Sequence, residues 1–253
     1  MKEVVKPIGL HNAVRVIENL CATCIPYENT KISPLLIELD AGNGQTTFTR
    51  YATQMLIKHK IRQVVGCKTY LEFEVDSRKD RMQVMFGEII HETIGVNYYE
   101  SVIAMDVTVL CECLYEEQTD YFLKRIQKVS EHAVVLLYLS PSKAKYDTKY
   151  AGLKKKLEDK IADLQIIEIE PYTMEEFVKM IMCKIDDYGI DVEDEDLLRE
   201  CIEQIVECRK ITCVKEALWI AETIVKQAKF NKFFAVLDVA GIIKSFPEVT
   251  VRG

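Results

Sequence analysis

The sequence predicts an α/β fold, a five-stranded parallel sheet sandwiched by helices and followed by a small all-helical domain. Three observations carry that expectation. Short β-rich runs alternate with helical stretches too long for hairpin turns, which is the mark of crossover connections between parallel strands. One run, Val134 to Leu139, is apolar throughout, as a strand covered by helices on both faces should be. From Pro171 onward the β signal gives way to helical periodicity.

The elements follow in order. Ala13, Ile17, Leu20, Cys21 and Cys24 fall on one face of an opening helix. Leu35 to Leu39 is the first strand, and Thr46 to Ile61 the helix after it. Tyr70 to Val75 alternates apolar and polar residues, so a second strand is expected there, near a sheet edge. A helix around Lys79 to Ile94 leads to strand three, Ser101 to Met105. A helix over Glu116 to Ser130 leads to strand four, Val134 to Leu139, expected at the centre of the sheet. A helix including Leu153 to Leu164 precedes strand five, Ile166 to Ile169. In the tail, Thr173 with Glu176 forms a capping box and Gly189 can close that helix. Asp194 and Thr212 are expected to cap the next two helices and Asp238 a short last one. The division implied is an α/β domain over 1–170 and a helical domain over 171–253.

Composition narrows the function classes. A net charge of −7 gives no general attraction to nucleic acid. The one basic cluster, Lys154, Lys155 and Lys156, is followed by Glu158 and Asp159 and reads as a solvated helix face rather than a phosphate-backbone site. No apolar run reaches the roughly 18 to 20 residues of a membrane span, and Met1 to Leu10 lacks a signal peptide's apolar core, so a cytoplasmic protein is expected. Nine cysteines, odd in number and irregularly spaced, suit reduced thiols. Cys21 and Cys24 read as packed thiols with no zinc, and Cys111, Cys113, Cys201 and Cys208 as buried small apolar residues.

Chemistry concentrates between the first strand and its helix. Asp40-Ala41-Gly42-Asn43-Gly44-Gln45-Thr46-Thr47 is a Gly-rich turn followed by hydroxyl residues at a helix start. Backbone N–H groups of such a turn, with the positive end of the helix, make an anion site, and glycine lets the backbone approach a phosphate closely. An ordinary tight strand-to-helix turn has the same composition, so the loop alone leaves both readings open.

With these residues, the element order and the lead-in Pro7-Ile8-Gly9-Leu10, the chain resembles the AAA+ branch of P-loop ATPases over nearly its whole length. Against the family's G-x-x-x-x-G-K-[ST], Gly42, Gly44 and Thr46 match, Leu39 stands for the first glycine and Gln45 for the lysine. The resemblance implies ATP or ADP at Gly42, Asn43, Gly44, Gln45, Thr46 and Thr47, and Mg2+ at Thr46 and Asp106. Asp106 closes strand three where the family has its magnesium-binding aspartate, while Val107 replaces the water-activating glutamate. Ser140, after strand four, takes the place of the polar sensor. No arginine lies between Arg125 and Arg199 to act as a finger, and Lys156 or Lys160 is a poor substitute for a planar guanidinium. Lys215 stands where the lid domain's sensor arginine is expected.

Phosphoryl transfer rests on positioning and charge stabilisation, so these departures strike catalysis and spare the fold. The implied protein is a non-hydrolysing or weakly nucleotide-binding module that acts through a protein partner, as a monomer or small oligomer. Two alternatives stand beside it. One is a slow ATPase that uses Gln45, with Glu112 or Glu116 as the base. The other is a DNA-associated accessory ATPase, which the net acidity disfavours.

Overall fold

The computed structural model describes residues 4–26, 31–61, 66–70, 101–112, 116–131, 133–144, 148–192, 194–227, 229–231, 234–237, 242 and 245–247. The chain divides into two compact units, Met1–Ile169 and Glu170–Gly253.

The first unit opens with α1 (His11–Thr23), β1 (Leu35–Glu38) and α2 (Gln45–Lys58), followed by β2 (Gly66–Tyr70) and β3 (Ser101–Asp106). A 3-10 helix, Val107–Glu112, continues directly from β3. Then come α3 (Glu116–Ser130), β4 (Val134–Leu139), a single turn α4 (Pro141–Ala144), α5 (Thr148–Lys160) and β5 (Gln165–Glu168). The five strands form one sheet in the order β2-β3-β4-β1-β5, and every pairing is parallel.

β4 sits at the centre of that order and all six of its residues are buried, as its unbroken apolar run requires. Alternation along the strands sends Leu36, Ile103, Met105, Val135, Leu137 and Leu139 to one face. There they pack with Phe122, Leu123 and Ile126 of α3 and Leu153 and Leu157 of α5. The opposite face carries Tyr138, which reaches α2 through a 2.7 Å hydrogen bond to Thr49. Parallel β1 and β4 run to a common end, where Leu39 N–H still donates to Leu139 O. That end brings the Gly-rich turn beside the residues following β3 and β4.

Among the described residues the edge strand β2 is Gly66–Tyr70; apart from Tyr70, the strand expected over Tyr70 to Val75 lies outside the described residues. The pairing of β2 with Ser101 to Met105, not its own side-chain pattern, defines it. The helix expected over Lys79 to Ile94 lies outside the described residues.

The second unit comprises α6 (Met174–Asp186), β6 (Asp191–Val192), α7 (Glu195–Arg209), α8 (Val214–Val225), β7 (Lys229–Asn231) and β8 (Phe234–Leu237). Helix α6 packs on both α7 and α8. Phe177, Ile181, Leu198, Ile202, Ile220 and Ile224 are all buried. The capping box at α6 is complete: Glu176 N–H donates to Thr173 Oγ1 at 3.2 Å and Thr173 N–H to Glu176 Oε2 at 2.8 Å. Gly189, at φ +63°, turns the chain after that helix. Asp194 caps α7 by accepting from Leu197 N–H at 2.9 Å.

Two details of this unit depart from the sequence reading. Cys213 rather than Thr212 is the N-cap of α8, while Thr212 N–H donates to Glu216 Oε2 at 3.1 Å. The C-terminal helices are also joined by a small sheet, β6-β8-β7, whose strands are two to four residues long. Strands that short carry no readable period and exist through pairing with each other. Asp238 lies outside the described residues.

Candidate functional site

The turn after β1 is shaped by two glycines. Gly42 and Gly44 adopt φ of +86° and +97°, a region that side chains disfavour, and Gly44 is the N-cap of α2. Gly44 brings no side chain to cap this helix start, where the first N–H groups of α2 lack intrahelical acceptors. Thr46 and Thr47 are exposed there, and Asn43 is half-buried. The turn spends one of its own donors internally, since Asn43 N–H donates to Asp40 O at 3.1 Å.

Gln45 points the other way. Only 5% exposed, it sends its amide back toward the sheet, donating to Leu39 O at 3.0 Å and toward Asp106 Oδ2 at 3.4 Å. A carbonyl oxygen can only accept, which fixes the amide nitrogen on the Leu39 side. The residue standing for the phosphate-bridging lysine is thus engaged with protein acceptors.

The structure brings Asp106 and Ser140 to the same end of the sheet as Gln45. Asp106 Oδ1 accepts from Thr108 N–H at 2.9 Å, so each of its oxygens faces a protein donor. Ser140 N–H donates to Thr108 Oγ1 at 2.9 Å, and Ser140 Oγ donates to Asp40 Oδ1. Ser142 N–H also donates to Asp40 Oδ1, at 3.0 Å. Behind the turn, Tyr138 OH donates to Gln45 O at 3.2 Å and shares a 2.7 Å hydrogen bond with Thr49.

Val107 follows Asp106 but does not face the cradle. It opens the 3-10 helix, is 1% exposed and belongs to the hydrophobic cluster with Met105, Val109 and Leu110. Of the other carboxylates considered for that role, Glu112 ends the 3-10 helix and Glu116 begins α3; their side chains lie outside the described residues.

The lysines are placed as follows. Lys160 pairs with Asp120 at 3.5 Å, and Lys156 is half-buried on α5. Lys154 donates to Glu38 Oε1 at 2.8 Å, inside the edge of the fold, so the basic cluster is not one uniform solvated face. The same carboxylate oxygen accepts from Tyr150 OH at 3.3 Å, and burial followed by the Glu38 charge pushes that phenol well above its usual range. Lys215 is exposed in the first turn of α8, in the second unit.

Among the cysteines, Cys21, Cys111 and Cys201 are buried, and burial pushes the Cys21 thiol up to about 11. Cys208 is exposed, because the whole last stretch of α7, Glu207 to Arg209, leaves the core. Cys113 lies outside the described residues. Among the described residues no group of three or more His, Cys, Asp or Glu side chains is disposed to hold a metal ion, and no helix is long and apolar enough to cross a membrane.

Sequence reasoning missed Asp40, Thr108 and Tyr138. Tyr138 carried a usable signal: a tyrosine within an otherwise aliphatic central strand must find a partner for its hydroxyl when buried.

No family model matches the chain, and no curated protein matches it in sequence. Its fold does match solved structures. A point mutant of Thermotoga maritima RuvB aligns with 98% of this chain and 72% of its own, at a TM-score of 0.61 and 13% identity. Domain III of the Thermotoga maritima replication initiation protein DnaA aligns with 97% of this chain and 94% of its own, at 0.59 and 10% identity. Hsp104 in a closed state with ATPγS and casein aligns with 96% of this chain and 43% of its own, at 0.57 and 14% identity. The fold is that of AAA+ P-loop ATPases: a parallel sheet with its helices, followed by C-terminal helices.

Proposed function

We propose that this chain is an AAA+-like module that does not hydrolyse ATP, binds nucleotide weakly and works through contact with a partner protein. The observation that carries this reading is the inward turn of Gln45 onto Leu39 O and Asp106. With the amide committed there, no cation projects into the cradle from the position that would bridge two phosphates.

The fit of Mg2+ and ATP divides in two. The Gly42 to Gly44 backbone, the start of α2 at Gly44 and the exposed Thr46 suit a phosphate, and Thr46 with Asp106 would be the metal ligands. The hydrolytic set does not fit, because buried Val107 offers no base to an attacking water. Nucleic acid is not the partner proposed: the net charge is −7, and Lys154 is engaged by Glu38.

The test is direct. Mg2+ with ATP should shift the melting temperature by no more than a degree or so at millimolar nucleotide, and phosphate release should stay at the no-enzyme rate. Light scattering should give a monomer or small oligomer with and without nucleotide. Sustained phosphate release, or a hexamer assembled by ATP, would overturn the reading.

A further inference from the structure

The side chains around the cradle close on themselves. From Gln45 the path runs to Asp106 Oδ2, from Asp106 Oδ1 to Thr108 N–H, from Thr108 Oγ1 to Ser140 N–H, and from Ser140 Oγ to Asp40. Asp40 is bonded through the chain to Leu39, whose carbonyl accepts from Gln45 again. We infer that this closed hydrogen-bonded ring holds the phosphate-cradle turn in shape without a ligand, and that Thr108 and Asp40 are the positioning residues through which the ends of β3 and β4 grip it.

Each link has a physical reason to be there. Gln45, Thr108 and Ser140 are 5%, 4% and 6% exposed, so their polar atoms have little access to water and must be satisfied by one another. The ring joins three segments distant in sequence: the turn after β1, the 3-10 helix after β3 and the residues after β4. Thr108 bridges twice, donating from its backbone to Asp106 and accepting at its hydroxyl from Ser140. Asp40 also bridges twice, accepting from Ser140 Oγ and from Ser142 N–H. In a working nucleotide site the phosphate and its metal ion would draw these strand ends together. Here protein groups occupy the same joints, with the 3.4 Å contact of Gln45 to Asp106 as the longest link. The inference concerns the ligand-free protein and stands whether or not nucleotide is hydrolysed.

Hydrogen exchange on the full chain without nucleotide tests it. The reporters are backbone N–H groups at the two ends of the ring: Asn43 and Phe48 in and after the turn, and Ser140 and Ser142 after β4. Thr108→Val, which touches neither Asn43 nor Phe48 through a hydrogen bond, should speed their exchange about two- to tenfold, the loss expected of one structural hydrogen bond. Gln45→Ala should do the same at Ser140 and Ser142. Thr108→Ser keeps the hydroxyl and should restore wild-type rates. Phe177 N–H, bonded to Thr173 O in the second unit, is the internal reference and should not change. Acceleration confined to groups that bond the substituted side chain would overturn the ring. So would equal effects of Val and Ser at position 108, or a uniform rise that includes Phe177.

Discussion

Placing lysine at position 45 is the sharpest chemical perturbation of this molecule. The Gln45 amide makes a 3.0 Å hydrogen bond to Leu39 O and a 3.4 Å contact with Asp106, both with protein acceptors. In Gln45→Lys the longer chain ends in an ammonium that can reach either the Asp106 carboxylate or a phosphate seated at Gly42 to Thr46. Charge-assisted hydrogen bonds contribute about 1.5–3 kcal/mol and neutral ones about 0.5–1.5 kcal/mol, so exchanging one for the other is worth about 1–1.5 kcal/mol. Part of that gain is already spent in the empty protein on pairing with Asp106. The expected net effect is therefore an ATP affinity about tenfold tighter at most, with a steeper loss as salt is raised.

Calorimetric titration of Mg2+ with ATP into wild type and Gln45→Lys measures it, with phosphate release followed in parallel. Affinity should rise while release stays at background. Equal affinities would refute the reasoning at its root, because they would mean that the turn between Gly42 and Thr46 does not cradle phosphate. Brisk release by either protein would mean that the catalytic groups lie elsewhere.

Three further outcomes are expected. Val107→Glu should not create a catalytic base; it drives a carboxylate into a site that is 1% exposed among Met105, Val109 and Leu110 and should cost more than about 3 kcal/mol in urea unfolding, with no gain in phosphate release. Alkaline pH should weaken the first unit. The folded-state values of Cys21 and Tyr51 are raised to about 11 and about 12, from 9.0 and 10.0, chiefly by burial, so the stability they carry is complete below pH 9 and lost as pH rises toward 12. Melting temperatures should thus stay level from pH 7 to 9 and fall above. Thr173→Ala should cost the second unit about 1 kcal/mol by opening the capping box at α6, read as a lower denaturation midpoint by circular dichroism.

Much of the fold was legible because its burial is periodic or complete. β4 spans the residues its apolar run marks, α3 runs Glu116–Ser130 as expected, and the caps at Thr173 and Asp194 are in place. What escaped depends on partners distant in sequence. β2, with Gly66 and Lys68 in its five residues, has no alternation of its own and is defined by pairing with β3. β6, β7 and β8 are shorter than any sequence period, and each needs another to exist. At the site, the motif positions could be read but not their directions. The resemblance sets Gln45 and Val107 against that family's lysine and glutamate, yet spacing cannot show that the 3-10 helix after Asp106 turns Val107 into the core or that Gln45 folds back on Leu39. Side-chain direction at the end of a strand is set by the element that follows, and a 3-10 helix breaks the twofold alternation.

These directions also explain why Gln45 and Val107 belong together. A glutamine at position 45 is tolerable in a buried place only if its amide finds acceptors, and Asp106 with Leu39 O supplies them. Asp106 in turn is held by Thr108 at the start of the 3-10 helix, and the same helix start carries Val107 into the cluster beneath it. A glutamate there would have to leave that cluster to meet water, which would unwind the helix start and release Thr108 from both Asp106 and Ser140. Lysine at 45 would meanwhile compete for the carboxylate that the 3-10 helix anchors. Substitutions at positions 45 and 107 should therefore couple, because the turn and the segment after β3 share Asp106 and Thr108 through these hydrogen bonds.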